Sequence, residues 1–106
     1  MRTIAAIVVL AAATATTAVA QPNVRLSDVE YMQASRCAGI ASADPSIDTS
    51  SINALLKTEG RARVAYISDK ADDMRSDAAR SAKHANGYAK EKLNAELGGV
   101  CKRFLG

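Results

Sequence analysis

The chain is poor in the residues on which recognition and catalysis most often depend. Trp is absent, Phe occurs once, Tyr three times and His once. Binding hot spots draw on Tyr, Trp and Arg, so the low aromatic content counts against a strong preformed interface. It also removes the aromatic interleaving that single-stranded nucleic-acid sites need, and Tyr66 is alone among Lys57, Arg61, Arg63 and Lys70. The one histidine, His84, lies among Ser81, Lys83 and Asn86 with no Cys or Asp partner at ligand or triad spacing. It reads as a solvated side chain rather than a zinc ligand or a general base. Ser81 stands three residues before it, but no third group is placed to orient the ring.

Cysteine is limited to Cys37 and Cys101, which excludes a C-x-x-C redox motif and leaves only His84 and three Met as other soft ligands. Pro occurs only at positions 22 and 45. There are few β-branched runs and no period-two alternation of useful length, whereas Ala is abundant, and both facts favour helix over strand. No Gly-rich phosphate loop, S-x-x-K or H-E-x-x-H motif occurs. Asp69, Asp72, Asp73 and Asp77 form the sole acidic cluster. Their spacing is helical rather than the alternating pattern of a calcium loop, and Lys70, Arg75 and Arg80 offset them. No pair of acids is convincingly placed for glycoside hydrolysis. No catalytic residue, cofactor or metal is assigned, and the expectation is a non-enzymatic protein.

What the chain does have is an amino terminus built like an export signal. Arg2 supplies the leading positive charge and Ile4 to Leu10 an apolar run. An Ala- and Thr-rich stretch then leads to Ala18-Val19-Ala20 with Gln21-Pro22 beyond it. The small residues Ala18 and Ala20 match the shallow pockets of a signal peptidase, so cleavage is expected before Gln21. A membrane anchor fits less well: a spanning helix needs about 20 apolar residues, and Thr14, Thr16 and Thr17 dilute this one. No Cys follows the cleavage point to carry a lipid, and no later stretch is long and apolar enough to span a bilayer. The signal is of bacterial type, which places the product in a periplasm or outside the cell.

Removing residues 1–20 leaves a single domain, residues 21–106, whose net charge falls from +3 to +2 with the loss of Arg2. That balance, with acids and bases mixed along the chain, does not point to nucleic acid or anionic lipid. A chain this short buries only about 60–65% of its unfolded surface, so a covalent constraint matters. In an oxidising compartment Cys37 and Cys101 read as a structural disulfide, worth roughly 4 kcal/mol in the chain-entropy treatment.

The fold class expected is all-α, a small bundle of three or four helices closed by that disulfide. Ser27-Asp28-Val29-Glu30 is a capping box, and Leu26 with Tyr31 supplies the hydrophobic staple that accompanies one. The first helix should run to about Ala43, with small residues at Ala38, Gly39, Ala41 and Ala43 that admit a close neighbour. Asp44-Pro45-Ser46 then breaks it, and Asp48 or Ser50 caps the next helix. Ile52, Leu55, Leu56, Tyr66 and Ile67 mark a buried stripe, with a kink or short break at Gly60. Asp72 with Arg75 and Asp77 with Arg80 are i,i+3 pairs on a polar helix that ends at Asn86-Gly87. Leu93, Leu97, Val100, Cys101 and Phe104 form the final apolar stripe, with a bend expected at Gly98-Gly99.

Two functions remain open at this level. One is a binding or envelope stress-response module that presents an apolar surface to another envelope or extracellular protein. Periplasmic acid-stress chaperones are similar in size and in having one disulfide, but no motif is shared, and a single His gives little sensing near neutrality. The other is a structural or accessory helical protein, possible as a homo-oligomer, with no ligand of its own. An enzyme inhibitor ranks below both.

Overall fold

A computed structural model describes residues 25–105, and all regular structure among them is helical. The expected export signal and its cleavage point at Ala18, Ala20 and Gln21 lie outside the described residues. Four helices of eleven or more residues and one C-terminal turn follow one another: α1 (Asp28–Ser42), α2 (Ser50–Gly60), α3 (Ala65–His84), α4 (Gly87–Gly98) and α5 (Lys102–Leu105).

Helix α1 is the axis on which the others pack. It begins at the capping box: Ser27 Oγ accepts from Glu30 N–H at 3.2 Å, and Glu30 Oε1 accepts from Ser27 N–H at 3.1 Å. Leu26 and Tyr31 are both buried in the main apolar cluster, as a staple requires. Eight of its residues from Tyr31 to Ala41 are buried, so α1 faces neighbours on several sides. The small residues serve α3. A Cβ at Gly39 would come within 2.2 Å of the Arg75 carbonyl oxygen and 3.0 Å of the Ala78 Cβ, so the two backbones meet there. Ala71 and Ala78, the buried residues of α3, are seven positions apart on the face turned to α1.

Asp44-Pro45-Ser46 ends α1 as expected, with Asp44 Oδ1 accepting from Ser46 N–H at 2.9 Å. Thr49 holds the N-cap position of α2, and the neighbouring Asp48 carboxylate accepts from Ser50 N–H at 2.9 Å. Ile52, Leu56 and Glu59 form the buried edge of α2. Gly60 is a full break rather than a kink, because α2 ends there and α3 starts after a turn. That break rotates the later part of the expected stripe. Ile67 still packs on the core, but Tyr66 is 70% exposed and does not belong to it. Val100 is likewise outside the core at 47% exposed, since α4 stops at Gly98 and the intervening turn redirects the chain.

The core joins the ends of the domain. Leu26, Tyr31, Cys37, Ile52, Leu56, Ala71, Cys101 and Phe104 belong to one buried cluster. The Cys37–Cys101 bridge is formed, with an S–S distance of 2.05 Å and both residues fully buried. It fastens the C-terminal turn to α1, where Arg103 also pairs with Glu30.

Candidate functional site

Two polar constructions stand out, one at each end of the domain. The first is buried. Ile52, Leu56 and Glu59 share a face by their i, i+4, i+7 spacing, so α2 carries Glu59 into the core as surely as its two aliphatic partners. Its carboxylate is 1% exposed and compensated on every side. Oε1 accepts from the backbone N–H groups of Arg25 at 2.7 Å and Leu26 at 3.1 Å, and Oε2 accepts from Arg63 Nη2 at 3.3 Å. Arg63 continues outward, donating to Asp28 Oδ1 at 2.7 Å and to the Leu26 carbonyl, with its guanidinium 5.0 Å from the Tyr31 ring centre. Only Arg63 Nε, among buried side-chain nitrogens and oxygens of the described residues, has no partner. The assembly holds the segment before α1 against the end of α2. Apart from Arg63 Nε its polar groups are engaged within the fold, and its role is structural.

Sequence reading left Glu59 unremarked and placed Arg63 in a loose basic stretch. The signal was present in two places: Glu59 falls on the Ile52–Leu56 face, and Glu59 and Arg63 are an i,i+4 acid–base pair.

The second construction is the open end formed by α4 with the C-terminal halves of α1 and α3. Helix α4 has no fully buried residue. Leu93, Glu96 and Leu97 are half-buried on its inner side, and Leu97 alone reaches the main cluster. Its side-chain hydrogen bonds to α1 come from one ion pair. Arg36 on α1 donates through Nε to Glu96 Oε1 at 2.7 Å and through Nη2 to Glu96 Oε2 at 3.1 Å, a bidentate pair that raises the Arg36 pKa above its ordinary value.

Hollows lie along both flanks of α4. One, of about 370 Å³, is lined by Ile40, Ala43, Ala82, Leu93 and Leu97, with Lys83, Lys90 and Asp44 at its margin. The other, of about 490 Å³, lies between Arg36, Ala85, Ala89, Lys92, Leu93 and Glu96, beside His84. Lys83 at the end of α3 and Lys90 and Lys92 on α4 itself are exposed, and the lining of both hollows mixes polar and apolar groups. Both ends of α4 are marked by glycine. Gly87 has φ +55°, the left-handed region that glycine adopts without steric cost, and the Asn86 side chain makes no cap bond. At the far end the N–H groups of Gly99 and Cys101 both donate to the Glu96 carbonyl, at 3.2 and 3.0 Å, before the chain turns into α5.

The other residues singled out by sequence take minor places. His84 is exposed at the end of α3. The carboxylates of Asp69, Asp72, Asp73 and Asp77 are on exposed positions, and Asp77 pairs with Arg80. The expected Asp72–Arg75 pair is not the one made: Arg75 Nη2 crosses to Asn53 Oδ1 on α2 at 2.6 Å. Burial is the first cause that raises the Tyr31 hydroxyl pKa, and the charge of Asp72 adds to it. Among the described residues no three His, Cys, Asp or Glu side chains gather as metal ligands would, and no helix is long and apolar enough to cross a membrane.

The chain matches no known protein family, no curated protein and no solved structure.

Proposed function

We propose that this is an exported, non-enzymatic binding module of the bacterial envelope or its surroundings, acting through protein–protein contacts at the α4 end. The observation that carries this reading is the seating of α4. A helix with no fully buried residue, flanked by hollows of mixed polar and apolar lining and carrying exposed lysines, is the part of the domain least committed to its own core. The Cys37–Cys101 bridge supports the compartment, since disulfides persist in oxidising surroundings. A stress-response role belongs to the same reading, with another envelope or extracellular protein as the partner.

The test is site-specific photo-crosslinking in cells that export the protein. A crosslinking residue at Ala89, beside the second hollow, should give a discrete adduct with another envelope protein, whereas one at Thr58, on the exposed side of α2, should not. Equal labelling from both positions, or none from Ala89, would remove the α4 end as the binding face.

A further inference from the structure

We infer that thiol–disulfide exchange at the Cys37–Cys101 bridge, in either direction, passes through the lifting of α5, and that Arg103 is the latch on that gate. Exchange begins when an outside thiolate reaches a sulfur of the bridge, so it needs access as well as a reactive thiol. In the folded domain neither Cys37 nor Cys101 has any exposed surface. A reagent must therefore wait for part of their cover to open.

The two sides of that cover differ. Around Cys37 the residues Ala34, Ala38, Ile40 and Ala41 are buried as well, and the close backbone approach at Gly39 locks α1 to α3. The Cys101 side is thin. From Gly98 to Leu105 only Cys101 and Phe104 are buried. The backbone bonds of α5 are local: Lys102 N–H donates to the Gly99 carbonyl at 3.1 Å, and the N–H groups of Phe104 and Leu105 donate to the Cys101 carbonyl at 2.9 and 3.2 Å. Side chains alone then hold this turn to the domain. Phe104 belongs to the core cluster and Leu105 packs against it. Arg103 pairs with Glu30 on α1, and its guanidinium lies 4.6 Å from the centre of the Phe104 ring. It thus ties the outer side of the turn to α1 and covers the ring that closes over the bridge.

The same opening serves both directions. With α5 unseated, the thiolate of one cysteine attacks an outside disulfide and displaces one of its sulfurs as a thiolate. The thiolate of the second cysteine then attacks the chain's own sulfur in that mixed disulfide, which closes the bridge and releases the other outside sulfur. The two chain thiols lose two electrons and two protons, and the outside disulfide becomes two thiols. Reduction by an outside dithiol is the reverse. The oxidant is therefore a disulfide on another molecule, and it must act before α5 seats. Once α5 is seated, the bridge is kept by lack of access.

The experiment treats the oxidised protein with dithiothreitol, quenches by alkylation and follows reduction by intact mass. Reduction of the folded protein should be at least about a hundredfold slower than reduction in urea above the unfolding midpoint. Arg103→Ala removes a half-exposed ion pair and a cation–π contact, and should speed reduction of the folded protein roughly fivefold. Glu59→Ala weakens the fold elsewhere, since its bonds are to Arg25, Leu26 and Arg63, and should change the rate by less than about twofold. Equal rates in folded and unfolded protein, no acceleration by Arg103→Ala, or a larger acceleration by Glu59→Ala than by Arg103→Ala would overturn the inference. If Glu59→Ala does not fold, wild type below its urea midpoint decides. Lifting α5 exposes little surface, so the logarithm of the reduction rate should rise with urea less steeply than global unfolding does. An equal slope would mean that the bridge opens only with the whole domain, and would overturn it.

Discussion

At the scale of single residues, the fold depends most on one acid and one glycine. Glu59 is the only acidic side chain among the described residues to be fully buried, and three donors converge on it. Replacing it by Ala leaves two backbone N–H groups without their acceptor and takes from the nearly buried Arg63 guanidinium its buried partner, leaving it Asp28 and the Leu26 carbonyl. Removing one partner of a buried pair costs about 3–5 kcal/mol. Glu59→Ala should therefore lower stability by about that amount, measured as the urea midpoint of the oxidised protein. Glu59→Gln, which keeps an acceptor oxygen, should lose less. At Gly39 two effects oppose each other. Alanine improves helix propensity by about 1 kcal/mol. Its methyl would sit 2.2 Å from a backbone oxygen, which cannot rotate away, and overpacking costs about 1–3 kcal/mol. The steric term wins, and Gly39→Ala should be destabilising by thermal unfolding. The small-residue stretch of α1 was legible in sequence, but the partner that exploits it was not, because nothing local says that Arg75 will arrive opposite Gly39.

At the scale of elements, the start of α1 and the breaks at Pro45 and Asn86-Gly87 were legible, whereas the phase of an apolar stripe beyond a break was not. The capping box at Ser27 and Glu30 could be read directly, because both partners lie within four residues and their chemistry is reciprocal. Tyr66 and Val100 were misplaced for the opposite reason. Each lies beyond a break that ends a helix at glycine, and the phase of an apolar stripe does not survive a change of chain direction. Arg75 was likewise assigned to a neighbour on its own helix while α2 offered Asn53 across the interface. The capping box also predicts a pH response. The Ser27 backbone N–H first, then the Arg103 guanidinium and the Ser27 hydroxyl, lower the Glu30 pKa from 4.5 to about 2. The unfolded chain thus takes up this proton at higher pH than the folded one. The stabilisation is fully present above pH 4.5 and is lost as pH falls toward 2. Asp44 and Asp48, lowered by the Ser46 and Ser50 side chains that bond to them, act with the same sign. Urea midpoints should fall from pH 5 to pH 2.5, and less steeply in Glu30→Gln. An unchanged slope in that variant would mean that the capping box and its Arg103 contact contribute nothing to acid stability.

At the scale of the molecule, the disulfide decides how much order so small a core can keep. It closes a separation of 64 residues, which corresponds to roughly 4 kcal/mol in the chain-entropy treatment. Domains are stable by only about 5–15 kcal/mol, so this one link is a large share. Cys37→Ala/Cys101→Ala should lose about 2–4 kcal/mol in urea unfolding, with α4 and α5 the first segments to lose exchange protection. The all-α class and the pairing of the two cysteines were legible, since composition and periodicity favour helix and two cysteines allow only one pairing. The proposed binding face was not. It arises where three helices meet, and α4 reads as an ordinary amphipathic stripe until its incomplete burial is seen.

The partner reading stands on the protein reaching an oxidising compartment with Cys37 and Cys101 joined. The direct test is the intact mass of the protein recovered from the periplasm, alkylated with and without prior reduction. The account predicts a chain beginning at Gln21 whose two thiols alkylate only after reduction. A chain retaining Met1, or two thiols that alkylate freely, would contradict it.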